Sequence, residues 1–213
     1  YAVPYIGASE TLTVYNAFFS VSLLSAIPLY CGVLEDYDWD ADDNLVNGSS
    51  DTLSQYSKHD LYLDKRFDMT AQAGYNFQLR QFTVSPGIGV TYKSQKFSAY
   101  NGYGQYDRVD YTWEEDGEKT EFSGNVISYE QFLLLPSINL DLQMALTPVM
   151  SLKVNSSYYP YLFISSLDSH YVTKAQQYYD QMNGGYGFVT GGSILYKNIA
   201  LNVSYEYLQV YYG

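Results

Sequence analysis

Two pairs of titratable residues carry the spacing that side chains need to work together on a β-strand. Asp168 and His170 lie two residues apart within the stretch LDSHY, and Asp36 and Asp38 have the same spacing within EDYDW. Because successive side chains of a strand point to opposite faces, each pair projects from one face. A carboxylate beside an imidazole fixes the tautomer of the ring and stabilises its protonated form, so His170 is a candidate general base. Two such pairs at strand ends can meet across a cleft.

Composition restricts the classes of protein to which the chain can belong. It has 213 residues, which we assign to a single domain spanning 1–213, and its formal net charge is −12. That charge argues against a nucleic-acid partner, whose phosphates need basic side chains. A single cysteine, Cys31, excludes an internal disulfide framework. Acidic residues concentrate in 35–60 and 107–121, which are either solvated loops or an acidic rim that gathers cationic partners.

Hydrophobic residues alternate with polar ones along most of the chain, as expected for β-strands with two different faces. Between Asp60 and Phe77 the odd-numbered residues are apolar except Lys65, whereas the even-numbered set reads as the polar face. A soluble sandwich buries the apolar face, and a transmembrane barrel turns it towards lipid. Alternation alone leaves both architectures open.

The lengths of the connections favour the barrel. Short turns are predicted near Asn16, Gln78, Thr147-Pro148 and Asn198, and they alternate with long connections near 35–58, 99–125 and 168–183. Outer-membrane barrels alternate in this way between periplasmic turns and extracellular loops. The pattern predicts an all-β antiparallel transmembrane β-barrel with eight strands in this chain, near 2–14, 18–35, 59–77, 80–99, 126–146, 149–168, 184–196 and 199–212.

Strand length places the candidate residues above the membrane. A tilted strand rises roughly 2.5 Å per residue, so about 10 residues cross an apolar band of about 25 Å, and several strands are longer. Both carboxylate-bearing pairs and His59 are therefore expected at one extracellular rim. Tyrosines of the upper strand halves, among them Tyr158 and Tyr159, are expected at the membrane interface.

Three short motifs in this order resemble the omptin family of outer-membrane proteases. They are EDYDW at 35–39, SKH at 57–59 and DSHY at 168–171, and the resemblance extends from about Ala17 to Tyr212. It implies a tall barrel in which an Asp pair faces an Asp-x-His pair across an extracellular groove, and the two pairs together activate a water molecule.

Carried over by position, the resemblance assigns catalytic roles to Asp36, Asp38, Asp168 and His170. It places Ser57 and His59 among the residues that line the groove. His170, held by Asp168, takes a proton from the water, and one carboxyl of the Asp pair carries a proton and assists. No covalent intermediate with the protein is required.

The chain departs from the family pattern in three respects. The family barrel has ten strands, so this chain is expected to lack the first and the last. Ser166 occupies a position where the family carries an acid that recognises a basic substrate residue. Tyr92 and Lys96 match part of the family's lipid-binding motif, but Phe132 stands where an Arg is expected. The resemblance implies no metal and no organic cofactor, with lipopolysaccharide as the one candidate activator.

We therefore predict an omptin-like aspartyl endopeptidase of the bacterial outer membrane, with its groove on the extracellular side. Its partners are membrane lipid and a peptide or protein substrate, with cationic peptides favoured by the acidic rim. The main alternative is a catalytically inactive barrel that serves as an adhesin or receptor. A porin and a soluble carbohydrate-binding sandwich are weaker alternatives. A calcium loop beginning at Asp36 lacks the turn glycine at Ala41 and the final acid at Asn47.

Overall fold

The computed structural model describes residues 3–38, 53, 55–106, 117–172, 176–197 and 199–211. Regular secondary structure in these ranges is entirely β-strand, and they contain no helix that could cross a membrane. The thirteen strands are β1 (Tyr5–Val14), β2 (Ala17–Ala26), β3 (Leu29–Asp38), β4 (Gln55–Tyr75), β5 (Phe77–Leu79), β6 (Phe82–Tyr106), β7 (Lys119–Glu121), β8 (Asn125–Thr147), β9 (Met150–Tyr159), β10 (Phe163–His170), β11 (Gln176–Asn183), β12 (Tyr186–Tyr196) and β13 (Ile199–Gln209).

Every strand pair is antiparallel, and the strands form one sheet in the order β1-β2-β4-β6-β8-β9-β12-β13. The remaining strands extend this path upwards or flank it: β3 pairs with β4, and β10 lies between β8 and β11. The chain therefore makes eight long passes, which confirms the predicted antiparallel barrel topology.

Three of these passes are interrupted at residues that cannot continue a regular ladder. Pro28 separates β2 from β3, and Pro160 lies between β9 and β10. Proline has no backbone N–H to donate to a neighbouring strand. Gly184 and Gly185, between β11 and β12, have φ of 99° and 103°, which few other residues adopt. The upper strand segments that carry the candidate site can thus depart from the line of the wall below.

The two faces of the sheet have the polarity of a membrane barrel. On the outer face, register pairs from Phe82–Met144 to Tyr92–Leu134 present a continuous apolar surface, in which Ile88 is 68% exposed. These eleven registers span roughly 25 Å at about 2.5 Å of rise per residue. That height matches the apolar core of an outer membrane, so the transmembrane prediction is confirmed.

The inner face is polar in its lower half. An ion pair between Lys93 of β6 and Glu206 of β13 joins two strands that are not neighbours in the sheet. It can form only because the sheet curls around a common interior. Lower down, Lys153 Nζ lies 2.7 Å from Asp141 Oδ2 on the inner face of adjacent strands.

An apolar layer lies across the interior between this polar chamber and the upper barrel. Its buried members are Leu133, Leu135, Tyr159, Leu162 and Ile164. Tyr159, expected at the membrane interface, instead faces inwards and is 4% exposed, because it and Tyr158 are consecutive and must point to opposite faces.

The strands continue into the ranges assigned to the long connections. β3 ends at Asp38, β6 at Tyr106 and β10 at His170, so backbone pairing extends several residues above the predicted ends. Along the outer side of this extension the ring of Tyr56 packs at a steep angle against those of Tyr37 and Tyr103, with centroids 5.0 and 6.2 Å away. This ring packing stabilises strand segments whose polar composition is typical of loops. Much of the remainder of these connections, residues 39–52 and 107–116, lies outside the described ranges. Between β3 and β4 the structure describes residue 53 alone.

Candidate active site

One wall of the upper barrel carries Asp168 and His170 on β10. His170 Nε2 lies 3.1 Å from Asp168 Oδ2. The side chain of His170 is 31% exposed and that of Asp168 is 33% exposed. β10 is held on both sides, where His170 pairs with Ile127 of β8 and Gln176 of β11. The ring of Tyr178 packs edge-on against the imidazole at 5.7 Å. The backbone and the tyrosine ring together restrict the orientation of the His170 ring.

The second oxygen of Asp168 is available to a further donor. Oδ1 is buried and has no hydrogen-bond partner among the described residues. An unpaired buried carboxylate oxygen costs free energy, roughly 1–3 kcal/mol or more for a charged group. A water molecule or an N–H group that enters beside the pair would offset that cost.

The opposite wall carries Asp36 and Asp38 on β3. Both project from the inner face, opposite Ser57 and Gln55 of β4. β3 takes up this position because Pro28 ends β2 and lets the chain resume as a separate upper strand paired with β4.

Beside the Asp pair, β4 brings Ser57 and His59 together. His59 Nε2 lies 2.9 Å from Ser57 Oγ, and His59 Nδ1 lies 2.6 Å from the backbone oxygen of Asn101. Ser57 and His59 are almost entirely buried, with 6% and 2% exposure. The contact with Asn101 was not foreseen from the sequence. The dipeptide Asn101-Gly102 was its one signal, because these two residue types favour positive φ.

The two walls meet at one cavity. It is lined by Asp36 and Asp38 from β3, Ser57 and His59 from β4, and His170 from β10. Phe122, Val126, Ile127 and Val172 are among the side chains that close its remaining sides. Its volume for water-sized molecules is about 70 Å³, enough for at least one water. Asp168 does not line this cavity directly and reaches it through His170.

The outer side of the same rim is stabilised by a charged cluster. Glu35 accepts hydrogen bonds from Lys58 Nζ and Tyr56 Oη, each at 3.1 Å. The bond from Lys58, followed by that from Tyr56, holds the pKa of Glu35 below its ordinary value. In turn, the hydrogen bond to Glu35 raises the pKa of Lys58. Burial, followed by the bond to Glu35, raises the pKa of Tyr56, which therefore remains a donor. These contacts fix β3 against β4 behind the Asp pair.

The other predicted residues lie outside the cavity. Ser166 faces inwards below Asp168, is 2% exposed and pairs in register with Gln131 and Asp180. Tyr92 and Lys96 project from the outer face, Tyr92 at the top of the apolar band and Lys96 just above it, and Lys96 Nζ lies 2.8 Å from Glu130 Oε1.

In the part of the chain that the structure describes, no group of three or more His, Cys, Asp or Glu side chains is arranged to hold a metal ion. The calcium loop considered above continues into residues 39–47, which are outside the described ranges.

Comparisons with known proteins agree on the architecture. A model of the Omptin family matches residues 6–210. The crystal structure of the outer membrane protease OmpT from Escherichia coli superimposes with a TM-score of 0.69 and 16% sequence identity. The match covers 92% of this chain and 66% of that protein, so the chain spans just under two thirds of the length of OmpT. No curated protein matches the sequence. At this identity the structural likeness establishes the fold.

Proposed function

The chain belongs to the omptin family, and from that premise we propose that it is an endopeptidase of the bacterial outer membrane. The observation that carries the proposal is the cavity shared by Asp36 and Asp38 from one wall and His170 from the other. OmpT, which shares the fold, is an outer membrane protease, and this supports the same location and reaction class here. The apolar band and the polar interior fit that location, with the groove facing the extracellular side.

The proposed general base is His170. In the proposed mechanism Nε2 of His170 donates to Asp168 Oδ2, 3.1 Å away, because a carboxylate oxygen accepts hydrogen bonds, and the Nδ1 lone pair is the base. A water molecule in the cavity gives one proton to Nδ1 while its oxygen attacks the carbonyl carbon of the peptide bond. Asp168 balances the charge of the imidazolium, which then returns the proton to the departing amine. General-base assistance of this kind contributes about 10²–10⁴ in rate.

The Asp pair acts from the other side of the same water. We propose that one carboxyl of the pair Asp36 and Asp38 carries a proton and donates a hydrogen bond to the substrate carbonyl as negative charge develops on its oxygen. The pair, the water and the imidazole thus form an aspartyl-type centre in which no protein atom becomes bound to the substrate. Ser57 and His59 line the same cavity and contact the substrate or the water.

Substrate preference follows from charge and from one departure from the family pattern. A net charge of −12 and the acidic residues of the rim favour cationic peptides and proteins. The buried Ser166 has no charge to offer a basic substrate residue, so preference for Lys or Arg is weaker than an acid there would give. Its register partner on β11, Asp180, is a carboxylate on the same face.

Lipid contact is assigned to the outer wall. Tyr92 and Lys96 lie at the upper edge of the apolar band, the level of lipid headgroups. Lipopolysaccharide is the proposed activator at this position. Because Lys96 is already paired with Glu130 and Phe132 adds no charge, we expect the lipid dependence of activity to be weak.

Cleavage of a cationic fluorogenic peptide by the refolded complete protein tests the proposal. Native protein should cleave, and His170→Ala and Asp36→Ala should each lose about 10²–10⁴ of kcat. Asp60→Ala is a matched control, because Asp60 is on the same wall but on the outer face opposite Val33. Equal rates in all four proteins would remove the mechanism. Peptide binding without cleavage by native protein would instead favour the adhesin or receptor.

A further inference from the structure

A local irregularity in β6 brings a backbone carbonyl to the buried His59. Asn101 and Gly102 have φ of 54° and 91°, and the register between β4 and β6 shifts beside them, between Lys58 and Asp60. A Cβ atom on Gly102 would lie 1.9 Å from the backbone oxygen of Lys58. Only glycine fits this position, so the bulge is specified by the sequence.

Three hydrogen bonds hold the bulge in one conformation. Asn101 N donates to Gly124 O at 2.9 Å, and Gly124 N donates to Asn101 Oδ1 at 3.0 Å. Phe122 N donates to Gly102 O at 2.8 Å. The Asn101 carbonyl is turned towards the interior, where it meets His59 Nδ1 at 2.6 Å. Phe122 covers the ring of His59, with centroids 5.8 Å apart.

Hydrogen-bond chemistry determines which atom is the donor in the contact between His59 and Asn101 and in the contact between Ser57 and His59. A carbonyl oxygen can only accept, so Nδ1 of His59 carries the hydrogen. In the neutral ring Nε2 is therefore an acceptor, and the hydroxyl of Ser57 donates to it across 2.9 Å. The one hydrogen of Ser57 is used in this bond, and only lone pairs of its oxygen remain for the cavity.

We propose that the Asn101–Gly102 bulge is a positioning element that, through His59, makes Ser57 a hydrogen-bond acceptor for the attacking water. This inference rests on the proposed hydrolytic function. The water has two hydrogens. One passes to His170, and the other is held by Ser57, which lines the same cavity. Oriented by both contacts, the oxygen of the water points its lone pair at the substrate carbonyl.

The tautomer of His59 can be read without any enzymatic activity. The chain has two histidines, so ¹⁵N-histidine NMR of the refolded protein in micelles at pH 8 gives two ring spin systems, which His170→Ala assigns. We expect His59 to show a protonated Nδ1 and an acceptor-type Nε2. A protonated Nε2, or signals averaged between tautomers, would overturn the proposal even if the protein cleaves peptides.

Substitution of the bulge glycine links the backbone to the ring. Gly102→Ala should shift the His59 ring signals towards a mixture of tautomers. Gly32→Ala is the matched control, since Gly32 also has positive φ, at 109°, but no atom lies within 4 Å of an added Cβ. Unchanged His59 signals in Gly102→Ala would contradict the assignment. If Gly102→Ala fails to refold, Asn101→Ala serves in its place, because it removes the Oδ1 that accepts from Gly124 N and holds the bulge, while the ring of His59 remains to be read.

Kinetics then test whether the contacts serve catalysis. Ser57→Ala and His59→Asn should each lower kcat by about tenfold with little change in KM. The double variant should be no slower than Ser57→Ala alone, because His59 acts through Ser57. If the losses of the two single variants multiply in the double variant, Ser57 and His59 act independently and the proposed positioning role is wrong.

Covalent labelling of Ser57 by a fluorophosphonate would also overturn the proposal, since Ser57 would then be a nucleophile. A native protein that shows the expected tautomer but cleaves no peptide would refute the proposed function, and Ser57 would then have no attacking water to hold.

Discussion

The ion pair between Lys93 and Glu206 offers a test of the curled, polar-lined interior, because it joins opposite walls of the barrel. Lys93→Met removes the charge and keeps most of the side-chain volume. Glu206 then stays in the interior without its partner, near the buried ring of Tyr159, with which it interacts electrostatically. The side chains of Lys93 and Glu206 are only 12% and 30% exposed, so solvent screens the remaining charge poorly.

The size of the effect follows from this partial burial. Removing one partner of a fully buried pair costs about 3–5 kcal/mol, and partial exposure of Glu206 reduces the expected loss to about 2–3 kcal/mol. The double variant Lys93→Met/Glu206→Gln leaves no charge unpaired and should lie within about 1 kcal/mol of native protein. Lys153→Met is a matched control. Its ion pair with Asp141 links neighbouring strands and its side chain is 36% exposed, so we expect a loss below about 1 kcal/mol.

Urea unfolding in detergent micelles, followed by far-UV circular dichroism, measures these free energies. A loss of about 2 kcal/mol corresponds to a factor of roughly 30 in the unfolding equilibrium. Additive losses in the double variant, or a Lys93→Met protein as stable as native, would refute the cross-barrel contact.

Three further outcomes are expected. Leu135→Ala should cost about 2–5 kcal/mol in urea unfolding, because Leu135 is 0% exposed in the apolar layer. Gly74→Ala should destabilise by about 1–3 kcal/mol, since its Cβ would lie 2.3 Å from a backbone oxygen, whereas at Gly192 the nearest atom is 3.9 Å away. The pKa of Glu35 is lowered by its hydrogen bond from Lys58, so its contribution is present above about pH 4.3 and is lost as pH falls. The difference in urea midpoint between native protein and Glu35→Gln should therefore be largest above that pH and shrink steadily as the pH is lowered below it.

The sequence predicts the eight passes well because their signals are local. Period-two alternation identifies the faces, and short turns interrupt it at regular intervals. The same periodicity puts Asp168 and His170 on one face, where the structure brings them within hydrogen-bond distance. What joins these residues to Asp36 and Asp38 is the curvature of the whole sheet, which no local pattern contains.

Features that depend on height within the barrel were not predictable in the same way. Leu133 and Leu135 face inwards, where the alternation of a membrane barrel predicts polar residues. Alternation indicates which face of the sheet a residue lies on but not its height along the barrel axis. From sequence alone, an apolar layer across the lumen therefore cannot be distinguished from the lipid-facing residues. The bulge at Asn101 was missed for a related reason. One extra residue reverses the faces beyond it, and its position is set by pairing with β4 rather than by nearby sequence.

The central claim is that carboxyls from β3 and an imidazole from β10 act on one water molecule. A double-mutant cycle on kcat/KM with Asp36→Ala, His170→Ala and the combined variant tests it most directly. If both groups serve the same water, the combined variant should be no slower than the slower single variant. Losses that multiply would show that the two walls act separately and would contradict the mechanism.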